Sequence, residues 1–347
     1  MTKLRIYLIP GQHAKRTPFA YSDYRPFFTP YFEFVSEPLA ADFIVASYFV
    51  DLRAQAEHIS RWLSAKPQLQ LVVFSEEPLW DLMTQPDGEF SAVVSGKRQG
   101  FVYHCINHKT SDVFNFERIP YFITTENHYI QRYLTLLQQN AVVSPSARLK
   151  HWQTAQWQQA FFAEKRTDLK YNKQDQQNKL VGLSVYRSDI ASLFWQKSES
   201  LIQGRGWHND TPRQSLPDWH LDKLTTLHNN TKLLSSIENT ILPHYLTEKP
   251  FDAYACNAVP IVYAAENSRL FELIGGNSKA VLNIYGKSAP EAAEFIQDFL
   301  PDISIAESYM SAQQHLINKL GSFSVLFQER ERVAFSSFVA FERLLSL

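Results

Sequence analysis

At 347 residues the chain exceeds what one compact core of ordinary size uses, so two domains are expected. Its 34 Lys and Arg balance 35 Asp and Glu, which excludes the basic footprint of a nucleic-acid binder. Two distant cysteines, Cys105 and Cys256, exclude a disulfide-built fold and read as buried thiols.

In chain order, residues 3–9, 42–49 and 69–74 are β-rich and apolar enough for strands buried on both faces. The apolar spacing of residues 52–63 suits a helix between the last two. Further helices are expected over 127–139 and 146–162. Alternation of this kind predicts a parallel sheet with crossover helices. Residues 165–179 are polar and lack periodicity, and read as a linker. The alternation then resumes, with strands expected at 180–186, 232–237, 259–264 and 280–284. Helices are expected at 248–257, 268–274, 289–299 and 305–320, and a long amphipathic one at 325–347. The expected division is therefore a first domain over 1–164, a linker over 165–179, a second domain over 180–324, and a terminal helix packing back on the first domain. Two such α/β domains imply a cleft where ligands meet the carboxyl ends of strands.

No window approaches ~18 continuous apolar residues, and the opening run is cut by Pro10 and Gly11. The expectation is a soluble, cytoplasmic chain without a transmembrane span; a peripheral contact at the inner membrane stays open as an alternative, although the sparse basic residues of the tail do not argue for it. The aromatic share of 14% has two readings, large aromatic cores or a cleft whose rings stack on sugars or bases.

Residues 232–262, KLLSSIENTILPHYLTEKPFDAYACNAVPIV, carry the most chemistry. They read as strand, polar loop, helix and strand, with Thr247 as N-cap, Glu248 in the first turn and Pro250 tolerated there. A helix N-terminus beside Lys249 offers free N–H groups and a cation to a diphosphate, and Tyr245 can stack on or bond a nucleotide. A well-capped helix in an ordinary α/β unit is the plainer reading.

The segment resembles the donor-binding signature of glycosyltransferase family 10, the α-1,3/1,4-fucosyltransferases. The matching positions are Lys232, Ile237-Glu238-Asn239-Thr240, Tyr245-Leu246-Thr247-Glu248-Lys249, Ala253 and Val259-Pro260-Ile261. Fainter echoes occur at Ser75-Glu76-Glu77-Pro78, at Arg118-Ile119-Pro120-Tyr121-Phe122, and over 180–208 with Arg187 and Gly204-Arg205-Gly206. The sequence departs from the family at Ile237, at Tyr263-Ala264-Ala265 after the Pro-Ile strand, and in the spacing before Arg187.

The resemblance implies a GT-B fold of two Rossmann-like domains with an interdomain cleft, and inverting transfer of L-fucose from GDP-fucose to a glycan hydroxyl. It implies Glu77 as general base, with Glu76 its rival, and Arg187, Asn239, Tyr245, Glu248 and Lys249 as donor-binding residues. Arg205 competes with Arg187 for the diphosphate. No tightly bound cofactor is implied. The sequence has no Asp-x-Asp motif, so a metal is not expected, and a zinc site at His104 and His108 is a weak alternative. Two other readings remain open: a related enzyme using a different nucleotide sugar, and a silent nucleotide-sugar-binding module. A lipopolysaccharide or capsule glycan is the acceptor guess that a chain without a secretory signal allows.

Overall fold

The computed structural model describes residues 2–78, 88–172, 174–175, 180–208 and 215–346. The chain divides into two compact units: residues 1–117, 124–127 and 326–347, and residues 118–123 and 128–325.

The first unit is built on a parallel sheet of β1 (Leu4–Leu8), β2 (Phe32–Phe34), β3 (Phe43–Ala46), β4 (Gln70–Phe74) and β7 (His104–Ile106), in the order β2-β1-β3-β4-β7. Between β4 and β7 comes an antiparallel hairpin, β5 (Glu89–Val94) and β6 (Lys97–Val102). Its turn residues Ser95 and Gly96 both have positive φ, 49° and 80°, as a two-residue hairpin turn of type I′ needs.

Side chains alternate across this sheet. Ile44, Ala46, Leu71 and Val73 face a core with Phe49, Leu52, Ile59, Phe90 and Tyr103, supplied by helices Phe49–Ala54 and Ala56–Ala65 and the hairpin. Phe32, Phe43 and Phe74 face the other way, onto Phe341 of the terminal helix Phe323–Leu344, with ring centroids 5.1–5.7 Å apart. Phe19 sits among the same rings, 4.9 Å from Phe32 and 5.1 Å from Phe74. Here the aromatic excess is core.

The second unit has a parallel sheet of β8 (Trp157–Phe162), β11 (Ser200–Gln203), β12 (Thr231–Ser235), β13 (Val259–Val262) and β14 (Leu282–Asn283), in the order β11-β8-β12-β13-β14. A two-residue pair, β9 (Gln174–Asp175) and β10 (Leu180–Val181), stands outside it. Capping follows sequence: Ser288 and Glu291 form a capping box for Ala289–Gln297, and Asp302 accepts the Ile305 N–H at 2.8 Å at the start of Ile303–Leu320.

In both sheets the chain begins one strand in from an edge, pairs that edge, then crosses back over its first strand. The switch points lie between β1 and β3 and between β8 and β12. Each unit is thus Rossmann-like, and two such units are what a GT-B fold requires.

Three expectations are corrected. Residues 146–162 are not one helix: the helix is Pro145–Gln153, and 157–162 is the inner strand β8, next to the edge strand β11. The division of the chain therefore does not fall at 165–179, because β8 and helices Asn127–Asn140 and Pro145–Gln153 belong almost entirely to the second unit. Within that stretch, residues 173 and 176–179 lie outside the described residues. Finally, 180–186 is not a strand of the main sheet; Ser184–Leu193 is a helix that includes Arg187.

Candidate functional site

The switch point of the second sheet opens a crevice outside the carboxyl ends of β8 and β12. The loop after β12 carries Glu238 and Asn239, and helix Glu248–Ala255 follows it. Glu238 is the centre of the arrangement. Its carboxylate accepts the Thr247 backbone N–H at 2.7 Å, the Thr247 hydroxyl at 2.8–2.9 Å and the Lys249 ammonium at 2.8 Å. Lys249 also donates to Thr247 Oγ1 at 2.7 Å and lies 3.5 Å from Glu248 Oε1. Thr247 precedes the helix as expected, but its hydroxyl is turned to Glu238 and makes no capping bond.

Arg187 reaches this loop from helix Ser184–Leu193. It donates to the Ile237 carbonyl at 2.8 Å and to Asn239 Oδ1 at 3.5 Å. Asn239 in turn meets the Tyr245 hydroxyl at 3.5 Å, and Phe122 packs edge-on against the Tyr245 ring at 5.5 Å. Arg187, Asn239, Tyr245, Glu248 and Lys249 are thus brought together on either side of Glu238. Arg205 meets a different carboxylate at the same end of the sheet: with Arg166 it pairs to Glu164, just past the end of β8, at 3.0 Å for Arg205. Lys232 is buried and turned to the Phe299 carbonyl. Beside Glu238 and Tyr245 lies a pocket of about 30 Å³, also lined by Ser236, Leu246 and Tyr263, with room for one water.

The charges support one another. Burial works against the Lys249 ammonium, but Glu238 and then Glu248 outweigh it and hold the pKa above its ordinary value. Burial likewise opposes the Glu248 carboxylate, and Lys249 outweighs it, leaving the pKa below the usual range. Arg187 has its pKa lowered by burial, with Glu238 opposing.

Behind the helix is a second hub, which sequence reasoning missed. Asp252 is fully buried and accepts Lys223 Nζ at 2.6 Å, the Tyr133 hydroxyl at 2.6 Å and His220 Nε2 at 2.8 Å. It ties helix Glu248–Ala255 to Asn127–Asn140 and Trp219–Leu227. An aspartate in mid-helix carries no sequence signal for such a role.

In the first unit, Glu76 and Glu77 follow β4 and differ sharply. Glu76 is 1% exposed, accepts the Tyr21 hydroxyl at 2.9 and 3.1 Å, and lies 3.8 Å from Arg16 Nη1. Burial, then Glu76, pushes the Tyr21 phenol far up, so it stays a donor. His108 bonds the Glu76 carbonyl at 2.9 Å. Glu77 is half-buried, its N–H on Ser75 Oγ at 3.3 Å. Tyr21 and Arg16, distant in sequence, were not foreseen. Among the described residues no group of three or more His, Cys, Asp and Glu is placed to hold a metal ion, and no helix is long and apolar enough to cross a membrane.

No protein-family profile and no curated protein matches the chain. Among solved structures it is similar to an alpha1,3-fucosyltransferase with GDP-fucose, at 14% identity over 89% of this chain and 81% of that one, with a TM-score of 0.46. It is also similar to an alpha1,3-fucosyltransferase with GDP, at 13% identity over 95% and 90%, with a TM-score of 0.42.

Proposed function

We propose that the protein is an inverting glycosyltransferase that moves a sugar, L-fucose from GDP-fucose, onto a glycan hydroxyl. The observation that carries this reading is the gathering of Arg187, Asn239, Tyr245, Glu248 and Lys249 around Glu238, at the crevice where a Rossmann-like sheet takes a nucleotide. The same residues form the signature that resembles the fucosyltransferases of family 10, so sequence and geometry support one site.

In this mechanism the acceptor oxygen attacks C1 of the sugar, the C1–O bond to the diphosphate breaks, and the diphosphate leaves with the electron pair. Lys249 and Arg187 meet the charge that builds on the diphosphate; preorganised cations act chiefly in the transition state. Glu77 takes the hydroxyl proton. Its partial exposure supports it over Glu76, whose carboxylate is held in the interior by Tyr21. A metal is not required by this scheme.

The test is release of GDP from GDP-fucose by the full chain. Turnover that falls away in Glu77→Gln supports the proposal. Turnover of another sugar nucleotide in its place would keep the mechanism and discard fucose, and turnover of none would leave a binding module.

A further inference from the structure

After β4 the chain turns through Ser75, Glu76 and Glu77, and one peptide unit joins the two acids. That unit is held at both ends. Its N–H, from Glu77, donates to Ser75 Oγ at 3.3 Å, and its carbonyl, from Glu76, accepts from His108 Nε2 at 2.9 Å. A carbonyl only accepts, so Nε2 carries a proton in this contact whether the ring is neutral or charged. The turn is anchored just before, where the Ser75 N–H reaches the Ile106 carbonyl at 3.0 Å and prolongs the pairing of β4 with β7.

His108 is presented by a built loop after β7. Asn107, 5% exposed, accepts the Lys109 and Thr110 N–H groups on Oδ1 at 2.9 and 3.1 Å and donates its own N–H to Thr110 Oγ1 at 3.1 Å. The Thr110 hydroxyl donates back to the Cys105 carbonyl at 2.7 Å. The imidazole lies flat on the buried Phe114 ring, with centroids 4.4 Å apart and planes at 20°. A phenyl ring would serve that packing equally well. What the imidazole adds is the Nε2–H, and it is directed at the peptide unit between the two acids.

A trans peptide is a rigid plane, so holding it fixes where the Glu77 side chain starts and which way it leaves. Aim matters here, because a reacting group misplaced by about 1 Å can lose about 10²-fold in rate. We propose that His108 is a positioning residue: by holding the Glu76 carbonyl it aims the Glu77 carboxylate at the hydroxyl that loses its proton. The proton passes from that hydroxyl to Glu77, and the His108 N–H stays in place. The role rests on the reading of Glu77 as general base.

The experiment is steady-state release of GDP from GDP-fucose by the full chain, with GDP-fucose calorimetry and thermal unfolding beside it. The variants are His108→Phe, His108→Gln, Glu77→Gln and the double variant His108→Phe with Glu77→Gln. His108→Phe keeps a ring on Phe114 and removes the donor; kcat falls by about 10²-fold. KM and GDP-fucose affinity stay within about twofold, since the donor residues lie elsewhere in the chain. His108→Gln, whose amide donates to the same carbonyl, recovers about tenfold of the loss, the worth of one hydrogen bond. The double variant is no slower than Glu77→Gln alone, because His108 acts through Glu77. If His108→Phe does not fold, His108→Met, apolar and without the donor, takes its place in both comparisons. A donorless variant with wild-type kcat, or a double variant slower than Glu77→Gln by the full factor, overturns the positioning role and leaves Glu77 standing as base. Wild-type turnover in Glu77→Gln, or a wild type that releases no GDP, overturns the base and this role with it.

Discussion

The Lys249 ammonium lies 2.8 Å from Glu238 Oε2, with the Thr247 hydroxyl bonded to both. The Glu-Asn and Thr-Glu-Lys parts of one signature are thus two sides of a single charge-assisted network. Glu238 presets the lysine; Glu248 faces it from the other side.

Glu238→Gln removes the charge but keeps the shape. The prediction is a loss of ~3 kcal/mol in stability, because a buried cation is left short of its partner, together with weaker nucleotide binding. Urea unfolding reads the first and GDP titration the second. A variant as stable as the wild type would show that the network matters less than its geometry implies.

The pH dependence follows from directions already described. Lys223 and His220 outweigh burial and hold the Asp252 carboxyl below its usual range, and Lys249 does the same for Glu248. With depressed folded-state pKa values, their stabilisation is present above the ordinary carboxyl pKa of about 4 and is lost as pH falls through the folded values. Lys249 runs the other way: its contribution is full below about pH 10.4 and is lost as pH rises through its raised value. Thermal unfolding across pH should show a plateau between these limits, and Asp252→Asn should flatten the acid limb.

Much of the fold is legible because buried parallel strands announce themselves as apolar runs: β1, β3, β4 and β13 fall inside expected strands, and β12 overlaps one, starting a residue earlier. β8 is not legible because Trp157-Gln158-Gln159-Ala160 reads as a continuation of the preceding helix, with Gln159 buried in the sheet. The Val-Tyr composition of residues 184–186 favours a strand, yet they open the helix that carries Arg187. The donor-side residues are legible as a signature, whereas nothing in the sequence marks Glu238 as their common partner. The partners of Asp252 and Glu76 are illegible because each contact joins residues 29 to 119 positions apart.

The two acids after β4 should separate. Glu77→Gln should lower kcat for GDP release by ~10²–10⁴-fold with GDP-fucose affinity unchanged. Glu76→Gln should instead lower the melting temperature, because Tyr21 and Arg16 lose the charge they face. Steady-state kinetics and thermal scans on both variants check this; a reversed pattern would make Glu76 the base.

Gly204 has φ of 139°, and a Cβ there would lie 2.2 Å from the Ala163 carbonyl oxygen. Gly204→Ala should cost ~1–3 kcal/mol in urea unfolding by straining the turn that follows β11. A neutral substitution would mean that this turn can relax.

The most direct measurement is isothermal calorimetry of the full chain with GDP-fucose, set beside a panel of other sugar nucleotides. The account predicts selective binding of GDP-fucose, weakened by about 10- to 100-fold in Lys249→Ala, the worth of one charge-assisted contact. Absence of binding by any sugar nucleotide, or binding that Lys249→Ala leaves untouched, would contradict it.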